Sequence, residues 1–293
     1  MKKYLLLISI SFSFSSVWSE YSFATAEQSA RAGSCVANSL SSCSFYSNPS
    51  SLAELDKFYM VAGKTHINDY EFLPYSYLGL AFNMFDKFTF GLTAEDFSTE
   101  YSNISLSDEL SIGLISSFYL QRDGNSTISF AAKVNYYHSK FGSSAGSSGD
   151  GTDGLPSSIG QAVGVDIGFT ATLREKNRIG IYYENINVPS MGRGLSNSYL
   201  PRKLSIGISY MPYKSLTTSL DVERIFGRSD IQYQGSIRYE IFNYLSLYMG
   251  MQQNPNMFGI GFGLHLNIFS LDYGLLTHHS LPLTQQFTLS IHK

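Results

Sequence analysis

The feature that most constrains this chain is a near-continuous alternation of apolar and polar residues that begins at residue 57. Between positions 163 and 171, for example, every second position holds Val, Ile, Phe or Ala, and the positions between them hold Gly, Asp or Thr. Successive side chains of a β-strand point to opposite faces, so a period of two predicts strands with one apolar and one polar face. The chain has no run of about 18 apolar residues that would predict a membrane helix.

The alternation divides into about 14 segments of the length that a tilted strand needs to cross a membrane. They lie near 57–67, 75–85, 87–97, 108–119, 127–139, 160–172, 178–187, 202–211, 216–226, 230–241, 244–252, 256–267, 269–277 and 284–292. Short turns alternate with links that are longer on average, such as 97–107, 141–158 and 186–201, as they do in outer-membrane barrels. The sequence therefore predicts an all-β fold, a transmembrane antiparallel β-barrel embedded in outer-membrane lipid. A large soluble β-sandwich is the alternative.

Charged residues on the strands are a further test, because a charge that faces lipid costs roughly 2–4 kcal/mol at mid-membrane. The charges on the polar face of their strands, expected to point into the lumen, are Lys87, Glu95, Lys133, Asp166, Arg178, Glu184, Lys203, Asp221, Glu223, Arg238, Glu240 and Asp272. Arg224 is on the apolar face, at the outer end of its strand. We also expect Asp221 and Glu223 to face Arg238 and Glu240 across adjacent strands in a charged network.

The composition suits a chain that is partly solvated by lipid. Charged residues make up 15% of the chain, against about 25% in ordinary soluble domains. Tyr and Phe number 21 each. The net charge of −3 argues against a nucleic-acid partner.

The first residues have the layout of a secretory signal peptide. Lys2 and Lys3 precede an apolar stretch at 4–17, which is shorter than the roughly 20 residues of a membrane-spanning helix. Small or polar residues follow, and cleavage after Ser19 is favoured over cleavage after Ala26. We therefore expect export to the bacterial cell outer membrane, with a signal peptide at 1–19, an N-terminal segment at 20–56 and the barrel at 57–293.

Two short motifs near the chain ends carry a family resemblance. The N-terminal segment reads ARAGSCVAN from Ala30 and FYSNPSSLA from Phe45, and the last strands contain GIGFGL from Gly259 and LDYG from Leu271. These motifs resemble the opening and closing patterns of the PorV and PorQ families and their relatives in the wider FadL-like group of outer-membrane barrels. The resemblance spans the mature chain.

The resemblance implies a barrel of about 14 strands whose N-terminal segment folds into the lumen as a plug. Its plug motif corresponds here to Arg31, Gly33, Asn48 and Pro49. Asn48 is expected to fix a turn through its side chain, and Pro49 to set the backbone angle. A plain periplasmic tail is the alternative.

The same resemblance implies two classes of function. FadL-like members pass hydrophobic small molecules, and this is the function expected here. PorV and PorQ serve protein secretion, so a membrane component or partner of a type IX-like secretion apparatus is the alternative. A hydrophilic porin is the second alternative.

Few residues suggest other chemistry. Cys35 and Cys43 lie eight positions apart in a chain bound for an oxidising compartment, so a disulfide and a pair of half-buried thiols both stay open. His278, His279 and Asp272 come nearest to a catalytic set, and an exposed loop pair explains the two histidines better. The sequence predicts no enzyme, no cofactor and no metal site.

Overall fold

The computed structural model describes residues 21, 23–84, 88–101, 104–143, 146, 154, 156–192 and 198–293. Its strands are β1 Phe58–His66, β2 Pro74–Met84, β3 Phe88–Tyr101, β4 Ile104–Arg122, β5 Ser126–Phe141, β6 Ser158–Leu173, β7 Asn177–Glu184, β8 Ser190–Met191, β9 Ser198–Tyr199, β10 Lys203–Tyr213, β11 Leu216–Ile225, β12 Ile231–Phe242, β13 Leu245–Gln253, β14 Met257–Leu266, β15 Phe269–Leu276 and β16 Thr284–His292.

Fourteen of these strands form a closed antiparallel barrel in chain order, from β1 to β7 and from β10 to β16. The sheet closes where β16 pairs with β1, for example at Tyr59 opposite His292. We call the end of the barrel that holds these two residues the terminal end. The short strands β8 and β9 pair only with each other, within the link between β7 and β10. The predicted 14-stranded barrel is confirmed, and the soluble sandwich is excluded by the closure of the sheet.

The two faces of the strands differ as the alternation predicts. In β6, Val163 and Phe169 are exposed on the outside, whereas Asp166 and Thr170 are buried on the inside. Large apolar side chains cover the outer face of the other strands in the same way. Burial of apolar surface is favourable and its exposure to water is not, so this exterior suits contact with lipid.

The limits of most strands differ by a few residues from the prediction, and two strands differ more. The link predicted at 97–107 is mostly strand, because β3 continues to Tyr101 and β4 begins at Ile104. The two strands remain paired there, with Ser98 opposite Asp108. Polar residues occupy both faces in this part of the hairpin. The alternation therefore fades while the ladder of backbone hydrogen bonds goes on.

Arg224 lies at the rim of the barrel, opposite the terminal end. Its side chain is exposed, and its guanidinium carbon lies 5.6 Å from the centre of the Phe226 ring. Arg202 lies 4.9 Å from the same ring. Both contacts have the geometry of cation–π interactions. The charge of Arg224, which is on the apolar face of its strand, is therefore held at the rim of the barrel.

Residues 23–56 lie inside the barrel. They form a short helix, α1 (Ala26–Ala30), and two 3-10 helices, Ser42–Phe45 and Pro49–Glu54. Nearly all of these residues are buried although many are polar, because the strands around them offer inward-facing hydroxyl and carboxyl groups. Among the residues that the structure describes, no helix is long and apolar enough to cross a membrane.

Candidate functional site

Arg31 of the N-terminal segment has a partner at each of its three guanidinium nitrogens. It is fully buried, and its Nε and Nη2 each donate a hydrogen bond of 3.1 Å, to Ser236 Oγ and Ser219 Oγ. Its Nη1 lies 3.1 Å from Glu27 Oε1, one helical turn earlier. Glu27 Oε1 also lies 3.6 Å from Nη1 of Arg238 on β12. The segment is thus tied to β11 and β12 by a buried ion pair and two hydrogen bonds.

The charge on Glu27 is stabilised by the two guanidinium groups. Burial alone would raise the pKa of Glu27, but Arg238 and Arg31 together hold this pKa below its ordinary value. Breaking a buried pair by removal of one partner costs about 3–5 kcal/mol, because the other charge is left uncompensated. Arg31 and Glu27 are therefore a strong link between the segment and the wall.

A second link is the turn at Asn48, which starts the 3-10 helix Pro49–Glu54. Asn48 Oδ1 accepts a hydrogen bond of 3.2 Å from the Ser50 backbone N–H, and Pro49 is the first residue of the helix. Asn48 Nδ2 donates to the carbonyl oxygens of Val36, at 2.9 Å, and of Phe169 on β6, at 3.1 Å. One side chain thus joins two parts of the segment to the barrel.

Small residues allow the segment to touch the wall directly. A Cβ at Gly250 would overlap the carbonyl carbon of Arg31, and a Cβ at Gly274 would overlap the carbonyl oxygen of Ala26. Gly33 follows the helix with a φ of +87°, where a side chain is strained. The backbone of α1 and of Arg31 therefore lies directly against glycines of β13, β14 and β15.

On the other side of the segment there is a cavity of about 70 Å³. It lies between the segment and a wall formed by β2, β3, β5, β6, β7, β10 and β11. Six of the predicted lumen charges line it, namely Glu95, Lys133, Asp166, Glu184, Lys203 and Glu223. A cavity that binds benzene measures roughly 150 Å³, so this cavity has room for water and for very small molecules only.

Several of these charges are held by specific partners. Lys203 Nζ lies 3.1 Å from Glu184 Oε1. Asp166 Oδ2 accepts hydrogen bonds from Asn135 Nδ2, at 2.6 Å, and from the Tyr182 hydroxyl, at 3.0 Å.

A tyrosine on the neighbouring strand holds another of them. The Tyr75 hydroxyl donates to Glu95 Oε2 at 2.7 Å. The lining is thus strongly polar, and parts of it are fixed by mutual hydrogen bonds.

The other predicted lumen charges that the structure describes lie outside the cavity lining. Arg178 forms an ion pair with Glu54. Asp221 Oδ2 accepts from the Val36 backbone N–H at 2.9 Å, and Asp272 Oδ1 accepts from the Tyr248 hydroxyl at 3.0 Å. Lys87 lies outside the described residues.

The predicted network of Asp221 and Glu223 with Arg238 and Glu240 is wrong. The hairpin places Glu223 opposite Gln232 and Arg238 opposite Thr217, so the acids and Arg238 lie at different heights along the barrel. Arg238 instead contacts Glu240 on its own strand, at 3.1 Å, and Glu27 of the segment. The alternation along a strand indicates which face a side chain is on, whereas the turn of the hairpin determines which residues lie opposite each other.

Cys35 and Cys43 are both free thiols in the structure and are buried rather than half-buried. Their Sγ atoms lie 2.9 Å apart. The disulfide left open by the sequence is therefore not formed here.

His278 and His279 lie on an exposed loop after β15, with ring centres 4.3 Å apart. Asp272 points into the lumen toward Tyr248. Among the described residues, no group of three or more His, Cys, Asp or Glu side chains is placed to hold a metal ion.

Two acidic partners in this site are not among the residues that the sequence singles out. Glu27 and Glu54 neutralise Arg31 and Arg178. The spacing of Glu27 and Arg31, four residues apart, is a helix signal that could have identified the first pair. No sequence signal relates Glu54 to Arg178, because their contact depends on how the segment enters the barrel.

No protein-family model and no curated protein matches the sequence. Among solved structures, the toluene transporter TbuX of Ralstonia pickettii superposes with a TM-score of 0.66 and 13% identity, over 92% of this chain and 98% of that chain. The CymD monoaromatic hydrocarbon channel gives 0.63 and 13%, over 92% and 96%. A Pseudomonas aeruginosa FadL homologue gives 0.55 and 12%, over 91% and 97%. The chain therefore shares the fold of the FadL-like outer-membrane transporters.

Proposed function

We propose that this protein is an outer-membrane channel that passes small hydrophobic molecules and that residues 20–56 are its plug. The observation that carries the proposal is a closed barrel with the fold of a toluene transporter and of a monoaromatic hydrocarbon channel, with an N-terminal segment packed in its lumen. The apolar outer face suits the location. The terminal end would face the periplasm.

The size of the cavity supports a gating role for the segment. At about 70 Å³, the cavity is too small for a molecule of the size of benzene. Passage of a hydrocarbon through this cavity therefore requires part of the segment to move away from the wall. The segment would act as a gate as well as a plug.

Packing at the start of the segment favours cleavage of the signal peptide after Ser19. The Thr25 hydroxyl caps α1 by accepting from the Gln28 backbone N–H at 3.3 Å, and the Ala26 backbone N–H donates to Thr288 Oγ1 at 2.7 Å. Cleavage after Ala26 would remove the cap and divide this contact region. Residues 1–20 lie outside the described part of the chain.

Uptake by whole cells tests the proposal. Expression in a Gram-negative host without a hydrocarbon channel should raise the initial rate of labelled toluene uptake. Heat-modifiable migration on gels shows that the barrel is folded in the same cells. A folded barrel that leaves the uptake rate at that of the empty vector would contradict the proposal.

Two alternatives have their own support and tests. The polar lining of the cavity would suit a hydrophilic solute, and liposome swelling in small sugars would reveal such a porin. The motifs that resemble those of PorV and PorQ, which include Arg31, Asn48 and Pro49, support a secretion role. Copurification of secretion-system proteins with the tagged barrel would favour that role.

A further inference from the structure

We propose that the lumen cavity is a binding site for a small organic cation that carries a primary ammonium group. This site goes beyond the proposed passage of hydrophobic molecules, and it rests only on the closed state of the barrel. Two kinds of observation lead to it. One is a pair of unpaired acceptor atoms, and the other is the balance of charge in the lining.

The unpaired acceptors are Glu223 Oε1 and Asn135 Oδ1. Both side chains line the cavity and are more than nine-tenths buried, and neither atom has a hydrogen-bond partner among the residues that the structure describes. Their other polar atoms are engaged, since Glu223 Oε2 accepts from Ser205 Oγ at 3.1 Å and Asn135 Nδ2 donates to Asp166. Two acceptors cannot satisfy each other, so the cavity requires a molecule that donates hydrogen bonds.

A third polar atom of the same cavity also lacks a partner in the described structure. It is the Ser47 hydroxyl oxygen, which belongs to the N-terminal segment and is buried. A hydroxyl can donate or accept, so it can adapt to the occupant. An occupant would thus contact both the barrel wall and the segment.

The charge of the lining favours a cation. The cavity holds four carboxyl side chains but only two ammonium groups, those of Lys133 and Lys203. Lys133 Nζ is turned toward the Phe45 carbonyl oxygen, at 3.5 Å, and lies 5.5 Å from the centre of the Tyr46 ring. This lysine shows that an ammonium can be held here by a tyrosine face and an oxygen.

Other ligand classes fit less well. An aromatic hydrocarbon would leave Glu223 Oε1 and Asn135 Oδ1 unpaired, and an anion would meet an excess of carboxyl groups. The volume has room for roughly five water molecules, which limits the occupant to a few heavy atoms. A short alkylammonium such as propylammonium meets these conditions.

Calorimetric titration of the full-length folded protein in detergent tests the site. The probes are propylammonium chloride and 1-propanol, which match in size and differ in charge. We expect propylammonium to bind and 1-propanol to bind at least roughly tenfold more weakly, because hydrogen bonds to a charged donor are the stronger ones. Equal affinities, or no binding of propylammonium, would overturn the proposal and leave water as the occupant.

The variant Glu223→Gln removes the charge and keeps the size of the side chain. It should weaken propylammonium binding roughly tenfold or more. The control Asp230→Asn removes one charge from an exposed loop and should bind as the wild type does. An unchanged affinity in folded Glu223→Gln would refute the site, and if this variant does not fold, the comparison of the two probes on the wild type decides alone.

Failure of this site and failure of the proposed function are separate results. A protein that binds propylammonium without raising toluene uptake keeps the site and loses the hydrocarbon channel. A protein that raises toluene uptake without binding propylammonium keeps the channel and loses the site.

Discussion

The N-terminal segment meets the two sides of the lumen in different ways. Around α1, glycines of β13–β15 let the helix backbone touch the strands, and the three guanidinium nitrogens of Arg31 bond to Glu27, to Ser219 on β11 and to Ser236 on β12. Toward β2–β11, long polar side chains leave a cavity in which acceptor atoms of Glu223 and Asn135 have no partner in the described chain. The α1 side is packed and paired, whereas the cavity side keeps unpaired polar atoms, although Asn48 and Val36 contact β6 and β7 there. We therefore expect the segment to stay attached on the first side while it moves on the second.

The largest effect should come from removal of the whole segment. Deletion of residues 20–55 with the signal peptide retained should raise the single-channel conductance in planar bilayers from near closed to open. About 14 strands enclose a lumen that their own side chains do not fill. A control with Gly235→Ala, on the outer face, should conduct as the intact protein does. If the intact barrel already conducts freely and the deletion changes nothing, the segment is no plug.

The next largest effect should come from the packed side. Arg31→Met leaves Glu27 buried with a weaker partner, and we expect it to lower the free energy that holds α1 in place by up to about 3–5 kcal/mol. Hydrogen exchange of the α1 amides measures this free energy directly, since those amides exchange when the helix opens.

A matched arginine gives the control for this prediction. Arg178 binds Glu54 at the terminal end, where both side chains are partly exposed, so Arg178→Met should cost less. The double variant Glu27→Gln with Arg31→Met should recover part of the loss, because no charge is then left unpaired. Equal effects of Arg31→Met and Arg178→Met would show that the packed side is no stronger than the rest.

The two sides also differ in how far they could be predicted from sequence. The alternation predicts the face of each strand residue, such as the buried Asp166, because the face depends only on the strand period. It did not give the partners of Arg238, because these depend on hairpin register and on the path of the segment. The strands are determined locally, whereas the contacts inside the lumen depend on the whole barrel being closed.

A smaller effect is expected where the segment touches the wall. Gly250→Ala places a methyl group against the carbonyl carbon of Arg31, and overpacking of this kind costs about 1–3 kcal/mol. On the outer face, the methyl group of Gly235→Ala meets the flexible end of Leu220 at 3.3 Å and the Ser219 carbonyl oxygen at 3.9 Å, an ordinary contact, and should cost little. Hydrogen exchange of the α1 amides should accelerate in the first variant only. Acceleration in both variants would mean that the methyl group acts on the barrel and not on the segment.

The smallest effect concerns the thiols of Cys35 and Cys43, whose reactivity reports whether the segment is packed in the lumen. Burial raises the pKa of the Cys43 thiol well above its ordinary value, and the hydrogen bond from Cys35 adds to this. The thiolate is the reactive form, so iodoacetamide should hardly alkylate the reduced wild-type protein. In Gly250→Ala, each 1 kcal/mol lost from the free energy that holds the segment in the lumen should speed alkylation by a factor of about five. Mass spectrometry measures the alkylation rate. Rapid labelling of the wild type would show that the segment leaves the lumen wall although the packed side is unchanged. The two sides would then not differ in how firmly they hold the segment.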